Sequence, residues 1–143
     1  MRRLALLAVL AGCDETRVTN PPGVGHPAAT LVEDVPLVDA QCAGPGPQVI
    51  VFTAENLWYH TGTSAARDTF LGMCASHGYG VTATHDRRLF TPERLAATDV
   101  VVFAVTSGNV LDDLSRGVLE TWLRDGGGLV GLHTANYTEN DWT

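Results

Sequence analysis

Ten residues near the end of the sequence, Gly126-Gly127-Gly128-Leu129-Val130-Gly131-Leu132-His133-Thr134-Ala135, hold the pattern with the clearest chemical meaning. The glycines stop a helix, Leu129 to Leu132 makes a short apolar strand, and Gly-x-His-x-Ala has the layout of a nucleophile elbow. Small residues flank such a turn because the backbone must bend tightly without a Cβ clash. The side chain at the apex projects beyond the carboxyl end of its strand, where open α/β sheets bind ligands. Here the apex is His133 rather than Ser or Cys, which argues against simple acyl transfer and points to acid–base work or ligand binding.

Three other loops follow apolar strands and converge on the same rim. After Val49–Phe52 comes the segment from Thr53 to Thr61, with Glu55, Trp58, Tyr59 and His60. After Val81–Thr84 come His85 and Asp86, and after Val100–Val105 come Thr106, Ser107, Gly108 and Asn109. Imidazoles, carboxylates and aromatic faces together suit a polar ligand with an apolar face, such as a sugar. His133 and His60 are the candidate catalytic pair, with Asp86 as a candidate orienting carboxylate. Thr53, Trp58, Tyr59, Thr106, Asn109 and Thr134 are candidate ligand contacts. Glu55 reads as solvated, although it lies on the correct rim. His60, Asp86 and His133 show no metal-ligand spacing, so no metal site is assigned, and no cofactor is indicated. Gly126–Gly128 lies between a helix and a strand, at the edge opposite the rim, and is not a phosphate loop.

The elements that position these loops follow from periodicity. Continuous apolar runs read as strands covered on both faces. Helical spacing joins Ala66, Phe70, Met73, Cys74 and His77, and again Leu111, Leu114, Val118 and Trp122. Thr61, Thr63 and Ser64 are candidate caps for the first of these helices, and Gly78 and Gly80 close it. Thr91-Pro92-Glu93 opens a short helical turn between them. Strands alternating with helices imply an α/β domain with a parallel sheet and right-handed crossovers. Four strands leave the sheet C-terminally incomplete, since the chain stops about ten residues after the fourth.

The first 47 residues are different. Arg2 and Arg3 precede an apolar run, Leu4 to Ala11, which is too short to span a bilayer. Residues 1–12 read as a signal peptide, and Leu10-Ala11-Gly12-Cys13 resembles a bacterial lipobox with Cys13 as the lipidated residue. Residues 13–47 hold six of the seven prolines and read as a flexible tether. The expected location is the bacterial cell envelope, anchored at Cys13 and facing the periplasm or exterior. Nine basic against sixteen acidic residues give a net charge of −7, which disfavours nucleic acid as a partner. Cys42 and Cys74 remain as a possible pair; Cys74 on a helix face reads more simply as a small buried hydrophobe, and Cys42 as part of the tether.

Several of these segments, taken in order, resemble the trehalose-utilisation (ThuA-like) family: Val49–Thr53, Trp58-Tyr59-His60-Thr61, Thr84-His85-Asp86 with Phe90-Thr91, Asp99–Phe103 with Thr106–Leu111, Gly126–Ala135, and Thr138–Trp142. The resemblance covers 48–143. It implies a flavodoxin-like three-layer α/β/α sandwich related to class I glutamine amidotransferases, and a role in carbohydrate metabolism. Those relatives carry a catalytic Cys at the elbow; His133 occupies it here, so glutaminase activity is not implied. Catalysis on a sugar or glycoside derivative, sugar binding or scaffolding without turnover, and an inactive fragment all remain open at this level.

Overall fold

The structure, a computed structural model, describes residues 38–142. The leader, Cys13 and the tether up to residue 37 lie outside the described residues. Five strands form one sheet: β1 (Ala40–Cys42), β2 (Gln48–Phe52), β3 (Gly80–Thr84), β4 (Val100–Ala104) and β5 (Gly128–Leu132). Their order is β1-β3-β2-β4-β5. β2 to β5 are mutually parallel, as the apolar runs require, and β1 pairs antiparallel with β3, Gln41 opposite Thr82. Among the parallel strands the spatial order is second, first, third, fourth, which is that of a flavodoxin-like sheet.

Three helices cover the sheet: α1 (Thr63–His77), α2 (Pro92–Ala96) and α3 (Asp113–Arg124). Alternation along each strand splits the core in two. Ile50, Phe52, Val101 and Phe103 pack with Leu89, Phe90, Leu95 and Leu119 on the α2–α3 face. The Phe52 ring meets Phe90 edge-on at 5.0 Å, a favoured aromatic geometry. Val49, Val51, Val81, Ala83, Val102 and Ala104 pack against Cys74 of α1, with Ala66, Phe70 and Leu71 alongside. Each fully buried Val, Ile, Leu or Phe contributes roughly 1.5–3 kcal/mol, so the middle strands carry most of the stability. Among the described residues no helix is long and apolar enough to cross a membrane.

The helix boundaries show where local signals succeeded. Thr91 caps α2, its hydroxyl accepting from Arg94 N, with Pro92 in the first turn. Asp112 caps α3 by accepting from Ser115 N, and Gly78 ends α1 at φ 73°. Other expectations are corrected. The residue capping α1 is Gly62, without a side-chain hydrogen bond, rather than Thr61, Thr63 or Ser64. Leu114 is 77% exposed, and the buried face of α3 runs instead through Ser115 and Leu119. Leu111 is buried and Val118 and Trp122 pack against the core as expected, so Leu114 is the one member of that stripe that lies off the buried face.

The segment read as tether enters the sheet at its end. Ala40–Cys42 forms the outer strand β1, and Cys42 is disulfide-bonded to Cys74 of α1. Cys42, read as part of the tether, and Cys74, read as a small buried hydrophobe, thus form a covalent link between an edge strand and the helix packed over it. β5 is the other edge of the sheet among the described residues, and Leu129 on it is half exposed.

Candidate functional site

The elbow is built as its residue types require. β5 ends at Leu132, and His133 opens a short 3-10 turn, His133–Tyr137, with φ of 57°. A Cβ added to Gly131 would stand 3.2 Å from the Ala135 Cβ, so the small residues on either side of His133 are what let the turn close. Val105, at the end of the adjacent β4, also has positive φ, at 63°, and its N–H donates to Leu132 O at 3.2 Å. A β-branched residue in that region is a genuine outlier. Val105 and His133, both at positive φ at the ends of adjacent strands, mark the kind of strain that collects at functional sites.

The loop after β2 leans over this rim. Glu55 pairs with Ser107 as a bridge that continues the β2–β4 pairing, and Asn56 N donates to Ser107 O at 2.8 Å. The fully buried Ser107 hydroxyl accepts from Trp58 N at 3.0 Å and donates to Trp58 O at 2.9 Å. So anchored, the loop delivers His60 to His133. The two rings meet edge-to-face, centroids 4.9 Å apart and planes at 83°. Glu55 Oε1 accepts from His60 N at 2.9 Å and lies 2.9 Å from His60 Nδ1. The His60 carbonyl accepts from the Thr63 hydroxyl at 3.0 Å, tying it to the start of α1.

The third candidate for the catalytic group stands elsewhere. Asp86 follows β3, three strand positions from β5 and therefore about 14 Å across the sheet. Its carboxylate caps a short turn by accepting from Arg88 N at 2.9 Å and is paired with the Arg88 guanidinium. The hydrogen bond from Arg88 is the main reason its pKa lies below the ordinary carboxylate value. An anion already engaged in this way does not orient His60; Glu55, which the sequence reading treated as solvated, stands in that place. His85 pairs with Asp39 beside β1.

The candidate ligand contacts divide into two groups. Thr53 and Thr106 are buried; the Thr53 hydroxyl donates to Thr84 O, and Thr106 Oγ1 lies 2.7 Å from Thr138 Oγ1. Both hold the rim together. Thr134 Oγ1 is buried with no hydrogen-bond partner. Trp58, Tyr59 and Asn109 are exposed, as is Tyr137, and present aromatic faces and an amide outward. Asn109 Nδ2 donates to Asp141 Oδ2 at 2.9 Å, and its carbonyl accepts from Asn56 Nδ2. These residues border an open cleft of about 410 Å³ with Leu57, Gly108 and Asn140. Among the described residues, no group of three or more His, Cys, Asp or Glu is placed to hold a metal ion.

The family described as trehalose utilisation, ThuA, matches residues 48–143, from the first residue of β2 onward. The chain belongs to the ThuA family. A solved structure of a ThuA-like protein from Bacteroides uniformis ATCC 8492 shares the fold with a TM-score of 0.54 at 18% identity. That likeness covers 66% of this chain and 39% of the other, so the chain spans about two fifths of its length. No curated protein matches the chain.

Within this ThuA-family sheet the last described segment is also fastened to the rim. Glu139, 6% exposed and with φ of 57°, accepts from Val110 N at 2.6 Å and Leu111 N at 2.7 Å and pairs with Arg116 of α3. The sequence places Ser107 and Glu139 among the rim loops but gives neither a role, because both look like ordinary polar loop residues. Their burial is a product of the tertiary fold, and no local pattern announces it.

Proposed function

We propose that this ThuA-family chain acts on a sugar or glycoside derivative, with His60 and His133 transferring protons at the rim. The observation that carries the reading is the apposition of the two imidazoles, one of them on a strained elbow at a strand's carboxyl end. An imidazole is the side chain best suited to gain and lose protons near neutral pH. The family's description, trehalose utilisation, supports a sugar as the substrate class. Trp58, Tyr59 and Tyr137 supply flat faces for the C–H surfaces of a ring, and Asn109 supplies an amide for hydroxyls. The elbow geometry supports kinship with class I glutamine amidotransferases, with His133 replacing the nucleophile and glutaminase chemistry lost.

In this proposal the domain works outside the cytoplasm, held to the cell envelope by acyl chains on Cys13. Its partners are a small carbohydrate and the membrane, and its acidity turns it away from nucleic acid. The exposed aromatics favour a second reading, carbohydrate binding or scaffolding without turnover.

Trehalose and a panel of glycosides and oxidised sugars separate the readings, with product formation followed by chromatography and binding by calorimetry. Turnover lost in His133→Ala and His60→Gln, with thermal unfolding still cooperative, is the expected result. Binding without turnover selects the second reading. No binding of any sugar overturns both.

A further inference from the structure

We infer that Glu55 is the positioning carboxylate of the site, fixing His60 so that its Nε2 is the working base. A carboxylate only accepts hydrogen bonds. Glu55 Oε1 lies 2.9 Å from both His60 N and His60 Nδ1, so Nδ1 is the nitrogen that carries the proton. In the neutral ring Nε2 is then bare, a lone pair with no proton. The His60 main chain is held at both ends, its N–H by Glu55 and its carbonyl by Thr63, which leaves the ring little freedom to turn away. The Glu55 and His60 side chains are only 12% and 21% exposed, so water competes weakly for the contact.

The proton step follows from this arrangement. Nε2 takes the proton of an O–H group on substrate or water; a new N–H bond forms as the O–H bond breaks, and the electron pair stays on oxygen. The resulting imidazolium has one carboxylate directly behind it, and that contact strengthens as the charge appears. The same logic orients the imidazole in Ser-His-Asp triads, where the carboxylate sets the tautomer and stays ionised. This inference rests on the reading of His60 as an acid–base group. Its test uses no sugar, so either can fail alone.

The test compares the full chain with its Glu55→Gln and Glu55→Ala variants. Long-range proton–nitrogen NMR of the labelled protein reports which His60 nitrogen is protonated. Diethyl pyrocarbonate, with peptide mass mapping, reports how fast each histidine is modified. The wild-type chain should show His60 protonated at Nδ1. Gln keeps an acceptor for the two N–H groups but removes the charge, so the limiting rate at high pH, where modification no longer rises with pH and the ring is neutral in both proteins, should slow about fivefold at His60 while His77 and His85 are unchanged. In Glu55→Ala the tautomer preference should disappear. Protonation at Nε2 in the wild type, or equal limiting His60 rates in wild type and Glu55→Gln, overturns the inference. The wild-type spectrum decides the first point even if neither variant folds.

Discussion

Replacing His133 by Ala and by Gly removes the imidazole in both cases, so the difference between the two variants isolates the backbone. At φ of 57° a residue with a Cβ is held in the left-handed region, at a cost of roughly 1–2 kcal/mol. Glycine escapes that cost but loses more chain entropy on folding, by roughly 0.5–1 kcal/mol. His133→Gly should therefore be more stable than His133→Ala by about 0.5–1 kcal/mol. For a domain near 100 residues that is a rise in Tm on the order of 2–6 °C. Differential scanning calorimetry at one pH and protein concentration measures it, with urea midpoints as a check. Equal Tm values, or Ala above Gly, would refute the claim that the elbow is strained at His133. Both variants should lack sugar turnover, so a more stable yet inactive His133→Gly would separate the site's chemistry from its cost in stability.

Glu139→Ala should destabilise the fold by about 2–4 kcal/mol, because it strands the buried Val110 and Leu111 amides, while Arg116 keeps Asp141 as a partner; a loss under about 1 kcal/mol in urea unfolding contradicts the clamp. Asp112 has a pKa lowered to about 2, chiefly by the Ser115 hydroxyl, against an ordinary 3.8. A depressed folded pKa means its contribution is complete above pH 4 and is lost as pH falls through about 2. Asn caps a helix as well as Asp without titrating, so any stability advantage of the wild type over Asp112→Asn should shrink between pH 4 and 2; an advantage constant with pH is the contrary result. Replacing Cys42 and Cys74 together by Ala should cost about 4 kcal/mol by loop entropy over a separation of 32 residues, read from denaturant midpoints. An unchanged midpoint would show that the bond adds nothing.

The two central strands were legible because a strand buried on both faces must be apolar throughout, and Val49–Phe52 and Val100–Val105 have no other good reading; β3 and β5 were legible from the glycines that precede their short runs. The elbow was legible because Gly131 and Ala135 are the residue types a tight turn admits, and strand-end logic brought His60 towards His133. Glu55 and Asp86 could not be told apart at that level. Both follow strands on one rim, and which one meets His60 depends on how the loop over Ser107 folds. β1 escaped notice because a three-residue edge strand has no periodicity to read. The disulfide was open as a possibility but not favoured, since pairing is a matter of distance in space. Leu114 misled because the position facing the core one residue on is filled by Ser115, a small polar residue that no apolar pattern marks as buried.

The bond between Cys42 and Cys74 also sets the route that mechanical load takes through the molecule. A pull on the chain ahead of β1 reaches Cys42, crosses to Cys74 through sulfur, and continues towards β3. Once the sheet has unfolded, the residues between the two cysteines form a closed ring whose backbone bears no tension. That ring contains all of β2 and the loop with Glu55 and His60. Stretched to its limit, the oxidised chain would be shorter than the reduced one by about 110 Å, the reach of a 32-residue separation. Force applied ahead of β1 would thus bypass His60, which lies inside the ring, and run on through the part of the chain that carries His133.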